Sequence, residues 1–236
     1  MHQATREAGP ENNGRVAVKR RTLDMAFSIG GVVFAALLLI VGLVLTNQAN
    51  FAKNYVKDQF AQQQISFTPA EGLHGEDAAP GGDCLVANGG KPLETGKQAE
   101  CYANQYIAFH LASGATEAGY EGATYATLGT PQRALAADLQ AAKDAGEPTD
   151  ELEAQIAEVN ALRETMFKGE TLRGLLLTTY GFSIFGERAG QAAMVTYIAA
   201  AVLFLLSIAG LVHAFTTKKD ETVHLFEAAP KEPALV

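Results

Sequence analysis

The side chains best suited to ligand or redox chemistry in this 236-residue chain are two cysteines and five histidines. Cys84 and Cys101 bracket the stretch CLVANGGKPLETGKQAEC, with sixteen residues between them. Such a pair can bind a metal, exchange electrons, or crosslink the fold. A metal site would have to recruit His74 and His110. Thr95 and Gln98 form a capping box that opens a helix, so Cys101 and His110 share that helix nine residues apart. Nine steps of 100° put them on opposite faces, about 13 Å apart along the axis. What remains, Cys84, Cys101 and His74, is one ligand short of a closed structural zinc site. A redox pair generally uses C-x-x-C or an electropositive helix start, whereas Cys101 sits beside Glu100, which opposes thiolate formation.

His110 lies in the arc of Tyr102, Ala103, Tyr106, Ile107 and Phe109. It reads as a packed, hydrogen-bonded histidine; proton handling is the sharper alternative, and nothing nearby in sequence offers it a carboxylate. Other motifs fail. GFSIFGER spaces its glycines like a phosphate-binding loop but places Glu187 and Arg188 where Lys and Ser/Thr are needed. It is not a nucleophile elbow either, because Phe185 stands where the second glycine belongs. C-x-x-C-H is absent, and His213 falls at the end of an apolar run, so no haem is expected. Asp150, Glu151, Glu153 and Glu158 are spaced as a solvated helix face.

Two apolar runs decide the setting. Met25–Thr46 has 22 residues without a charge, and Ala192–Phe215 has 24 with one histidine. At 1.5 Å per residue each reaches roughly 30 Å, enough to cross a hydrocarbon core. Arg15, Lys19, Arg20 and Arg21 precede the first, and Lys218 and Lys219 follow the second, so both termini are expected in the cytoplasm. The first run exceeds the apolar length of a cleaved signal and lacks an A-x-A site after it. The expected order is a disordered cytoplasmic tail (1–24), a transmembrane helix (25–46), an extracytoplasmic domain (47–190), a second transmembrane helix (191–215) and a cytoplasmic tail (216–236). The outer segment holds ten basic against nineteen acidic residues, which argues against a nucleic-acid partner. An oxidising exterior also selects among the cysteine chemistries: Cys84 and Cys101 are expected to form a structural disulfide worth roughly 3 kcal/mol by loop closure.

The elements between the runs read as mainly helical. The first helix should project beyond the membrane to about Gln63, with Phe51, Tyr55 and Phe60 at or above the interface. ISFTP reads as extended and Gly72–Lys91 as loop. The capped helix should end near Gly114, and 123–128 is a strand or a helical turn. Thr130-Pro131 starts a helix with Thr as N-cap. Residues 131–167 form a helical hairpin, its stripes being Leu135, Leu139 and Ala142 against Leu152, Ile156, Val159 and Met166. Gly174–Gly186 is too short to span and reads as a separate helix near the membrane surface. Tyr102, Tyr106, His110, Tyr180, Phe182 and Phe185 are the candidates for a pocket or an interface. Ala192, Thr196, Ala200, Ser207 and Gly210 supply small residues for close helix packing.

The segments NYVKDQFAQQQISF, QAECYANQYIAFHL, TYATLG and FKGETLRGLLLTTYGFSIFGERAGQ, set between the two spans, resemble a family of actinobacterial two-helix membrane proteins. The resemblance covers roughly 25–215, and the hairpin looks like an elaboration. The architecture is also similar to accessory subunits of the actinobacterial cytochrome bcc–oxidase supercomplex, which implies a structural role in bridging, assembly or edge shielding. The expectation is therefore a non-catalytic subunit with no cofactor and no metal, whose partners are integral membrane proteins and the lipid bilayer. A membrane-tethered sensing module is the alternative, with a pocket between 96–112 and 172–186 and no ligand class specified. A thiol oxidoreductase is a third.

Overall fold

A computed structural model describes residues 17–218 and 221–224. The tail residues outside those ranges, including Arg15 and Lys219, lie beyond what it describes. The chain divides into two compact units, one comprising the residues up to Leu45 and from Gln191, the other Thr46–Gly190.

In the first unit two helices meet, the early part of α1 (Arg20–Gln63) and the late part of α6 (Asp150–Thr216). Both helices are long and apolar enough to cross a membrane. They run antiparallel: a methyl on Gly31 would collide with Ser207, one on Gly42 with the Tyr197 ring, and one on Gly210 with Ser28. Burial recurs every seven residues, at Ser28, Ala35 and Gly42 on α1 and at Ala193, Ala200, Ser207 and Ala214 on α6. A strict seven-residue repeat keeps one seam facing its partner in a left-handed supercoil, and small residues on it let the backbones approach closely. Ala200 and Ser207 were anticipated on this seam, and Thr196 and Gly210 flank it half-buried. Ala192 is exposed, one residue off the repeat, and Ala193 takes its place. The outward faces carry exposed large apolar residues such as Phe27, Ile40, Leu43, Val195 and Leu205. Next to the seam, β1 (Ala17–Lys19) pairs antiparallel with β2 (Thr222–His224), Val18 facing Val223. Arg20 donates to Glu221 across 2.6 Å. The segment 216–236, expected to be featureless, thus contains a short strand.

In the second unit α1 continues to Gln63, as expected, and stops at Gln64, whose φ is 54°. Ile65–Phe67 then lies extended against 91–93, with Phe67 N–H donating to Lys91 and Leu93 N–H to Ile65. The stretch read as loop contains α2 (Asp83–Asn88), held by Leu85 at 1% exposure and by the Asn88 amide on the Cys84 carbonyl. Buried Leu85 outweighs the local Gly and Asp signals. Then follow α3 (Gly96–Cys101), a π-helical turn (Tyr102–Ile107) and α4 (Ala108–Glu117), one continuous helical run. The Thr95–Gln98 capping box is present as read. Residues 123–128 form turns tied by Thr124 and Thr127. The next helix, α5 (Gly129–Ala145), starts before Pro131, and Thr130 does not cap it. Fully buried Leu128 sets that start.

The hairpin arms are α5 and the beginning of α6, turned by Gly146 in the left-handed region at φ 71°. Ala142, Val159 and Met166 are buried on the seam, and Lys143 pairs with Glu153 at 3.1 Å. The second arm does not end at 167, and no separate helix exists over 172–186. Both belong to α6, which runs unbroken to Thr216. No proline interrupts it, and an internal glycine costs only about 1 kcal/mol. Gly169 lies against Leu111 and Gly186 against Ala52, where larger side chains would collide. The main core gathers Val56, Phe60, Phe67, Leu85, Leu93, Ala99, Ala103, Ile107 and Leu176.

Candidate functional site

The chemistry-bearing residues of the second unit assemble around the π-helical turn. Cys84 and Cys101 are disulfide-bonded, with Cα atoms 6.2 Å apart, which ties α2 to the last residue before that turn. Beyond it the aromatic rings stack in order. Phe67 meets Tyr102 edge-on at 5.5 Å, Tyr102 meets Tyr106 at 4.9 Å, and Tyr106 meets His110 at 4.6 Å. Burial pushes the Tyr102 hydroxyl above its usual pKa, with Tyr106 adding to the effect.

The stack ends on an acid that sequence reading missed. Glu76, 1% exposed, accepts a hydrogen bond from His110 Nε2 at 2.8 Å, and its other carboxylate oxygen accepts from the His74 N–H. Burial pushes the Glu76 carboxyl up. The N–H groups of Glu76 and His74 and the His110 ring outweigh it, so the group lies below its ordinary pKa. Glu76 comes 34 residues before His110, so no local spacing announced the pair. The one local signal is Gly75, at φ 107°, which lets HGED turn over the Phe109 ring. His110 is not fully packed: its side chain is 50% exposed. The loop from His74 to Cys84 is thus fastened twice to one helical run, by an ionic contact at its start and a covalent one at its end.

The six residues named for a pocket do not share one. Tyr106 and His110 line an open groove of about 460 Å³ with Thr165, Lys168, Gly169 and Leu172 of α6. Tyr102 lies beneath that groove in the core. Tyr180 stands elsewhere, taking a hydrogen bond from Lys97 at 3.1 Å and lying under its ammonium. Those bonds, to Tyr180 and then Glu100, raise the Lys97 pKa. Phe182 meets Tyr55 edge-on at 6.0 Å, and Tyr55 stacks on Phe51. Phe185 is 77% exposed. Helical spacing along α6 divides them, since 180 lies 200° from 182 and half a turn from 185.

A second recess lies between α1, the 94–96 segment and α6, with a volume of about 380 Å³. Among the described residues no group of three or more His, Cys, Asp or Glu is placed to hold a metal ion. No known protein family, curated protein or solved structure matches the chain.

Proposed function

We propose that the chain is a non-catalytic accessory subunit of a larger membrane complex, anchored in a cell membrane by its two apolar helices. Residues 47–190 lie outside, and both termini lie in the cytoplasm, by the positive-inside rule. The observation that carries this reading is the apolar strip on the outer unit. Leu175, Phe182 and Phe185 are 62%, 39% and 77% exposed on one face of α6, with Phe51 and Tyr55 of α1 beside Phe182. Together they expose on the order of 500 Å² of apolar surface, near the upper end for a monomer. Leu175 is sixteen residues before Gln191, about 24 Å of helix. A headgroup layer is only about 5–8 Å deep on each side. Lipid therefore covers Phe185 but not Leu175, and a protein neighbour accounts for the rest. A respiratory supercomplex of the actinobacterial type is the favoured host, on the resemblance of the quoted segments.

The test is affinity capture of the full chain from native membranes in mild detergent. Stoichiometric recovery of large membrane subunits is expected, reduced about tenfold by combining Leu175→Glu with Phe182→Glu, since each buried side chain contributes roughly 1.5–3 kcal/mol. A protein that migrates alone under all conditions, or a double variant with unchanged recovery, refutes the proposal.

A further inference from the structure

The recess between α1 and α6 combines three properties that the docking strip does not explain. First, its walls are small: Ala49 faces Gly190, and a methyl on Gly190 would lie 3.6 Å from the Ala49 Cβ. The space of about 380 Å³ is therefore open between the helices. Second, its rim is bipolar. Lys53 and Asn50 line it from α1 and Glu187 from α6. Glu94 also lines it but is engaged by Lys57 at 3.0 Å. Neither Lys53 nor Glu187 has an ion-pair partner among the described residues. Two opposite charges on facing helices that do not meet each other leave room for a ligand carrying both signs. Third, the recess lies where the apolar runs stop. Ala49 is three residues beyond Thr46, and Gly190 is two before Ala192, about 3–5 Å of helix rise. That is the depth of phospholipid headgroups, which Lys53 can reach by extending its stem.

We infer that this recess binds a phosphoethanolamine group, with the phosphate on Lys53 and Asn50 and the primary ammonium on Glu187, and that its source is a membrane phospholipid. The inference rests on the membrane placement proposed above. A phosphate beside Lys53 forms a charge-assisted contact, and a primary ammonium has three N–H donors for the carboxylates. A quaternary choline has no N–H to donate. A phosphoglycerol headgroup brings no cation to Glu187 and sets its negative charge near Glu187 and Glu94. The recess therefore selects by charge pattern.

Native mass spectrometry of the delipidated full chain in mild detergent tests this, with dioleoyl-phosphatidylethanolamine, -choline and -glycerol added in turn. The expected result is at least about fivefold more 1:1 adduct with the ethanolamine lipid than with either other. Lys53→Gln and Glu187→Gln should each erase most of that preference while keeping the intact disulfide mass and wild-type circular dichroism. Equal retention of the three lipids, or unchanged retention in both variants, overturns the inference. Displacement of the lipid by an equal concentration of soluble glycerophosphoethanolamine overturns the assignment to a lipid. Carbonate extraction of native membranes separates the two readings. A chain that resists extraction yet shows no lipid preference condemns only the recess, whereas a chain released by carbonate condemns the membrane placement itself.

Discussion

Replacing His110 by alanine removes one of the bonds that hold Glu76 in its buried position. A hydrogen bond to an ionised group contributes about 1.5–3 kcal/mol net. The His110 side chain is half-exposed, so solvent screening lowers the figure to about 1–2 kcal/mol. The opening free energy of the 74–82 loop should fall by that amount. Hydrogen–deuterium exchange on the full chain reads it directly, as roughly 5–30-fold faster exchange of loop amides such as Gly82 N–H, which is bonded to Ala79. The effect has a signed pH dependence. Glu76 is held below its ordinary pKa, so its contribution is fully present above about pH 4 and fades as pH falls through the lower folded value. The ratio of variant to wild-type exchange should therefore be largest near neutrality and approach one once the carboxyl is protonated. Lys168, across the groove from His110, keeps its charge throughout that range. A ratio of one at pH 7, or a ratio that stays constant into strong acid, refutes the argument.

Two further outcomes follow from the close packing and the crosslink. A methyl on Gly96 would strike Ser183 Oγ and lie 3.2 Å from the Tyr180 Cα, so Gly96→Ala should cost about 1–3 kcal/mol in chemical unfolding. Adding Ser183→Gly should restore part of that loss, and a purely additive pair would show that the contact is not the cause. Replacing Cys84 and Cys101 together by alanine releases a crosslink of sequence separation 17 and should cost about 3 kcal/mol. The loss should appear as a lower unfolding midpoint, equal to that of the reduced wild type.

What could be read from the sequence was what local rules govern. The end of α1 at Gln63, the Thr95–Gln98 box and the two hairpin stripes each follow from periodicity or capping within a dozen residues. The crosslink followed because only one pairing of two cysteines exists. The failures have a common cause in contacts made far along the chain. The α2 helix exists because Leu85 is buried in the core, against the Gly and Asp signals around it. The α6 helix passes Gly169 and Gly186 because Leu111 and Ala52 press against them. The small-residue seam was located, but its period of seven was not, so Ala192 was named where Ala193 lies. Glu76 could not be paired with His110 from a separation of 34 residues. Lys53 and Glu187 share a recess only because two helices from opposite ends of the outer segment meet there.

The π-helical turn at Tyr102–Ile107 has a consequence for how the outer unit tolerates change. An i→i+5 turn holds one more residue than an α turn, so everything after it is rotated relative to an uninterrupted α-helix. The ring ladder Tyr102, Tyr106, His110 depends on that offset, as does the encounter of His110 with Glu76 downstream of a disulfide fixed upstream. Removing a single residue within the turn would restore regular winding and swing His110 by about 100° while leaving the crosslink untouched. The turn is a phase shifter: its length in residues, more than the identity of its side chains, decides which face of the helix meets the loop.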